Sequence, residues 1–280
     1  MFLPALLLLV AMGSFQVGAS LTARYLFPDV GAQGATALRV GIAAILLLLI
    51  YRPWRNTAWR GRGFTLLCYG ITLGAMNLFF YMAILRIPLG IAVAIEFLGP
   101  LSVAVLASRR ALDFLWVVVA VIGLALLLPI TRSASQLDAV GLLCAALAAL
   151  FWGLYIVSGQ RAGAEGHASG GTVAIGMMIA MLVVVPPGIH EAGAKLLDPA
   201  LLPIAFVVAA ISSAIPYVIE MYAMARMPAR TFGIFMSIEP ALAAIAGFAL
   251  LGDRLAPLQW AAILCVVLAS LGSAATSGSR

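Results

Sequence analysis

The chain has 280 residues, of which 64% are hydrophobic and only 9% charged, with a mean hydropathy of +1.14. A soluble domain carries about 25% charged residues, so this composition implies lipid as the solvent and excludes an ordinary soluble globule. The net charge of +6 is not a nucleic-acid footprint, because the arginines stand mostly at the ends of apolar runs rather than in one patch.

At about 20 residues per crossing, ten spans are predicted, near 3–27, 31–51, 63–85, 88–108, 112–130, 138–160, 171–189, 199–224, 228–251 and 257–276. The first resembles a secretory signal only superficially. No basic residue precedes the apolar run, which continues to Leu26, so the segment reads as a span. Pro28 and Asp29 end it. Arg52, Arg55, Arg60 and Arg62 fill the most basic loop, and Arg109 with Arg110 closes the fourth span. Thr131 to Gln136 separates the fifth from the sixth. No linker is long enough for a soluble domain.

With a cytoplasmic N-terminus, Arg52, Arg55, Arg60, Arg62, Arg109, Arg110, Arg161, Arg226, Arg230 and Arg280 lie inside, and Arg24, Arg86, Arg132, Lys195 and Arg254 outside. Basic residues concentrate on cytoplasmic loops, so both termini are expected in the cytoplasm.

The chain also looks doubled. At a spacing of 140 residues Gly13 falls on Gly153, Phe15 on Tyr155, Arg86 on Arg226, Pro88 on Pro228, Pro100 on Pro240 and Asp113 on Asp253. The expected units are residues 1–136 and 137–280. Each would hold five spans, an odd number, so the halves would face opposite ways across the membrane. Inverted repeats of this kind let secondary transporters build two gates around one central site. The expected fold is therefore an all-α membrane protein of ten helices in two inverted five-helix repeats.

Four ionisable residues lie well inside spans: Arg39, Glu96, Glu220 and Glu239. An ionisable side chain at the bilayer centre costs roughly 2.5–3.5 kcal/mol on insertion scales, so each needs a partner or a wet cavity. Glu96 is followed by Pro100, which has no N–H for the carbonyl of residue 96. Glu239 is followed directly by Pro240. Either carboxylate could bind a substrate ammonium group or exchange a proton with it; the plainer alternative is a structural hydrogen bond to a neighbouring helix. Glu220 lies near the cytoplasmic side, where interfacial solvation explains it equally well. Arg39 could anchor a substrate carboxylate, but a counter-ion for one of the acids is the favoured reading.

Polar and aromatic groups cluster at similar depth: Gln16, Asn77, Tyr81, Trp152, Tyr155 and, after the kink-forming Pro216, Tyr217. Amides and phenols can hydrogen-bond a zwitterion and aromatic faces attract an ammonium. Taken singly, each is better explained by packing between helices. Pro100, Pro216 and Pro240 are candidate hinges. Trp54, Trp59 and Trp260 read as interface anchors. Gly70 with Gly74, and Ala243 with Gly247, suit close helix approach. Cys68, Cys144 and Cys265 have no disulfide or metal spacing. His167 and His190 fall in loops without ligand partners. No metal, cofactor or enzymatic constellation is expected, and no nucleotide-binding domain.

Four stretches carry a family resemblance: Gly18 to Arg39, Pro88 to Arg110, Ser158 to Glu165 and Arg230 to Ala244. With the ten spans, the two halves and the Glu239–Pro240 pair, the chain resembles the drug/metabolite transporter superfamily in its EamA-type branch, and within it the bacterial threonine/homoserine exporters. The resemblance implies export from the cytoplasm across the inner membrane by alternating access, driven by the proton gradient or by the substrate's own gradient. It implies amino acids as substrate, protons as a possible coupling ion, and no residue-level assignment. Related exporters handle aromatic amino acids, other metabolites or drugs. A receptor or assembly subunit that moves nothing is the alternative from a different class.

Overall fold

The computed structural model describes residues 2–55, 61–107, 138–163, 170–224, 236 and 238–276, with isolated positions between 115 and 126. Most of the predicted fifth span, with Trp59, Arg60, Arg109, Arg110, Asp113, Arg132, His167, Arg226, Pro228, Arg230 and Arg280, lies outside the described residues. Every described element is helical. Among the described residues, six helices are long and apolar enough to cross a membrane, and three shorter apolar ones accompany them.

We number the helices α1 Phe2–Tyr25, α2 Phe27–Tyr51, α3 Gly63–Ile84, α4 Leu89–Glu96, α5 Leu98–Ala107, α6 Ala139–Gly163 and α7 Gly170–Ala192. They continue as α8 Leu202–Ala209, α9 Ile215–Met224, α10 Glu239–Ala246 and α11 Pro257–Thr276. His190 sits in the last turn of α7 rather than in the expected loop.

Three departures from straight spans stand beside prolines, which remove backbone donors. The predicted fourth span breaks at Phe97, three residues before Pro100, so Glu96 ends α4 instead of lying mid-helix. The eighth widens into a π turn over Ala210–Ala214, just ahead of Pro216. In the ninth, a described helix opens at Glu239 with Pro240 in its first turn, where a missing N–H costs nothing. A second π turn, Gly247–Leu251, closes it.

The core runs continuously through the bundle. α2 lies along α7, α3 along both α6 and α7, α1 against α9, and α4 against α10. Gly70 and Gly74 do what their spacing predicts. A Cβ on Gly70 would stand 2.4 Å from Ile179 Cβ and 2.8 Å from the Gly176 carbonyl, and one on Gly74 3.0 Å from Ala180. Only a hydrogen there lets α3 and α7 meet.

One end of the bundle is tied by polar contacts between residues before and after position 137. Arg86 pairs with Asp138 at 3.0 Å. Asp253 accepts the Leu89 N–H that opens α4, at 3.0 Å. Arg24 donates to the Leu250 carbonyl at 3.1 Å. Glu191 accepts the N–H groups of Gln33 and Gly34 at 2.6 and 3.0 Å. Those two donors follow a kink at Gly31, whose φ of 68° requires glycine and over which the Glu191 carboxylate sits.

Gly70→Ala is expected to lower stability by about 1–3 kcal/mol, because backbone must move to admit the methyl; the thermal midpoint of detergent-purified protein measures it. Asp138 lies outside the span that begins at Ala139, and its hydrogen bond from Arg86 holds its carboxyl below the usual aspartate range. Its contribution is therefore full above the unfolded value and disappears as pH falls through the lowered folded one. Asp138→Asn should reduce stability at neutral pH and make no difference in strong acid, as paired melting curves across pH would register.

Candidate functional site

A cavity with about 510 Å³ of empty space, its mouth included, opens among α1, α3, α4, α6, α9 and α10. Leu8, Ala11, Met12 and Phe15 of α1 give it an apolar side, joined by Met76 and Met236. Trp152 and Tyr155 of α6 and Tyr217 of α9 add aromatic surface, with Pro216 beside them. The charged groups are three carboxylates, Glu96, Glu220 and Glu239.

The breaks in the helices put these carboxylates there. Glu96 is the last residue of α4 and Glu239 the first of α10, two helices packed on each other; each is 6% exposed. Gln16 Nε2 donates to Glu239 Oε1 at 3.1 Å, while Glu239 Oε2 is buried with no protein partner. A buried carboxyl oxygen without a hydrogen-bond partner is costly.

Of the residues singled out from sequence, Glu96, Glu239, Trp152, Tyr155, Tyr217 and Pro216 line the cavity, whereas Gln16, Asn77, Arg39 and Tyr81 stand behind the wall. Gln16 supports Glu239. Arg39 is fully buried, and among the described residues no carboxylate lies within ion-pair distance of its guanidinium; its hydrogen bonds go to neutral oxygens. Arg39 Nη1 donates to the Ser212 carbonyl at 2.8 Å and to Ser213 Oγ at 2.6 Å, and Nη2 donates to Asn77 Oδ1. Ser212 is four residues before Pro216, so its carbonyl is the one that proline leaves without a helical donor. Tyr81 is correspondingly not a cavity residue: its ring lies under the guanidinium at 4.5 Å, with Phe15 at 5.7 Å. Asn77 links this cluster to the wall, donating from Nδ2 to the Tyr217 oxygen at 3.0 Å. Pro100 and Pro240 flank the two carboxylate-bearing helix ends.

Sequence reasoning gave Glu220 too little weight. It stands on α9 three and four residues past Tyr217 and Pro216, the spacing that shares a helix face, and that periodicity was the available signal. Phe15 could have been found through its match to Tyr155. Met12, Met76 and Met236 carried the same signal, standing 140 positions from Trp152, Pro216 and Glu96. Among the described residues no group of His, Cys, Asp and Glu could hold a metal.

Residues 139–274 match the EamA-like transporter family. The threonine/homoserine exporter RhtA of Escherichia coli (strain K12) is 50% identical over 275 residues, covering 98% of this chain and 92% of the relative. The protein of the same name from Salmonella typhimurium (strain LT2) is 48% identical over the same lengths. One crystal structure, 17% identical, superposes with a TM-score of 0.57 over 98% of this chain and 95% of that one, a likeness of fold. With half its residues shared along nearly its whole length, the chain belongs to the EamA-like transporter family, a family of transporters rather than enzymes, in the group that includes the RhtA exporters.

Proposed function

We propose that this protein exports small amino acids of the threonine and homoserine type across the bacterial inner membrane, by alternating access of one central site. The observation that carries the proposal is a cavity lined by three carboxyl groups, Glu96, Glu220 and Glu239, of which Glu239 keeps one oxygen without a protein partner. A substrate ammonium group would satisfy that oxygen. Trp152, Tyr155 and Tyr217 would close round the rest of the zwitterion. The names of the relatives supply the substrate class.

The two-gate mechanism rests on inverted repeats, residues 1–136 and 137–280, and on ten spans. Several contacts support this. Asn77 touches Tyr217, and the two are 140 positions apart, the repeat spacing. Gly41 and Met181, separated by the same interval, also meet. Residues that touch their own counterparts lie on the axis relating two halves. Off that axis, Thr72 and Ser158 hydrogen-bond at 3.2 Å where their counterparts Ser212 and Gly18 press together. Likewise α3 packs on α6 as α1 packs on α9. The end of the bundle where α1 finishes is where α6 begins, as inversion requires.

With both termini cytoplasmic, the polar ties through Asp138, Glu191 and Asp253 close the outer face. The cavity is then lined from the cytoplasmic half of α1 and from Glu220, so this state receives substrate from inside. Protons are the favoured coupling ion: a carboxyl that must release a proton to take an ammonium exchanges one for the other.

Purified protein in liposomes, tested by counterflow against the standard amino acids, should show saturable exchange of threonine and homoserine. Bound ligand that never crosses would instead indicate a receptor. Glu96→Gln and Glu239→Gln should each lower flux at least about tenfold, a loss of about 1.4 kcal/mol of stabilisation, with membrane expression little changed. Unchanged flux removes that residue from the mechanism. An imposed pH gradient should alter the rate, whereas a flat response with intact transport means facilitated export.

A further inference from the structure

The hydrogen bonds behind the cavity have a direction, and Arg39 sets it. A guanidinium can only donate. Arg39 Nη2 donates to Asn77, so the amide atom facing it must be the oxygen, Oδ1. The amide nitrogen is thereby turned the other way, where it donates to the Leu73 carbonyl at 2.8 Å and to the Tyr217 oxygen at 3.0 Å. The opposite polarity, Tyr217 donating to Asn77 Oδ1, spans 3.4 Å and competes with the guanidinium for one oxygen. Since Tyr217 accepts from Asn77, its own O–H proton is left for another acceptor, and its side chain lines the cavity.

We propose that Tyr217 is the donor that recognises the substrate's carboxylate, and that Arg39 and Asn77 are positioning residues that fix the direction of its hydrogen bond. This rests on the reading of the cavity as the amino-acid site. Glu96, Glu220 and Glu239 take the ammonium pole, and the O–H of a tyrosine on the same cavity wall answers the other. Each bond in the chain from Arg39 through Asn77 to Tyr217 polarises the next. A cation that does not line the cavity thus acts on the substrate's anion through two side chains. The arrangement holds because Arg39 is itself locked, by the Ser212 carbonyl and Ser213 Oγ on one side and the Tyr81 ring on the other.

The test compares two competitors of threonine counterflow in liposomes: threonine itself and 1-amino-2-propanol, which is threonine without its carboxylate. Asn77→Asp keeps the side-chain shape and gives Arg39 a charged acceptor, but it offers Tyr217 only acceptor oxygens. Tyr217 should then turn its O–H away from the cavity. The half-inhibitory concentration of threonine is expected to rise about tenfold, equivalent to about 1.4 kcal/mol, with that of the amine unchanged or lower. Tyr217→Phe removes one hydroxyl and should shift the ratio the same way, so it carries the test if Asn77→Asp does not fold. Equal losses for both competitors, or no loss for either, overturn the proposal while leaving amino-acid export standing. Absence of saturable threonine flux in the unaltered protein overturns both.

Discussion

A backbone carbonyl that loses its N–H partner inside a bilayer has no water to turn to. Pro216 creates such a carbonyl at Ser212, and the fully buried Arg39 fills the gap. The rest of the site depends on this contact. It crosses from α2 to the π turn between α8 and α9, so it fixes how α9, with Tyr217 and Glu220, is presented to the cavity. The same guanidinium orders Asn77 and lies on the Tyr81 face. A charge that would be prohibitive in hydrocarbon is sustained because four oxygen acceptors and the rings of Tyr81 and Phe15 replace much of its hydration, leaving only Nε without a protein partner.

Broken helices do comparable work at the two carboxylates. A continuous helix through Glu96 would place its side chain wherever helical periodicity put it. Ending α4 at Glu96 and opening a described helix at Glu239 puts both side chains at helix termini, where backbone groups are already free and polar neighbours are tolerated. The cavity follows from these terminations. Glycines do the opposite elsewhere: Gly70 and Gly74 let helices close so that void volume is confined to the centre.

Class and crossings were legible because a bilayer imposes length and apolarity on each segment, and the long helices α1, α2, α3, α6 and α7 follow the pattern. The role of Pro100 was half legible: a missing N–H predicts a defect, but neither its position at Phe97 nor the π turn before Pro216 follows from local sequence, since both depend on what packs against the freed groups. Arg39 shows the limit more sharply. Charge alone suggested an acidic partner, because the sequence contains buried acids and no sign of which carbonyls lack donors. The contact with Ser212 joins residues 173 apart, and no local pattern encodes it. Glu220 was discounted on depth, when its helical phase with Tyr217 was the better guide.

Under the proposed repeat, the two halves are not equivalent where it matters. The counterpart of Arg39 is Ile179, which packs as a hydrocarbon over Gly70. The counterpart of Glu96 is Met236, on the same cavity wall. Exchanging the conformations of two identical halves would give inward- and outward-open states of equal free energy. Here one junction is held by charged hydrogen bonds and the other by apolar contact, so the exchange replaces unlike interactions. A difference of about 1.4 kcal/mol between the states would already set their populations tenfold apart. Under that repeat, the unlike residues grafted on the shared frame, Arg39 and Ile179 among them, would bias which way the cavity opens.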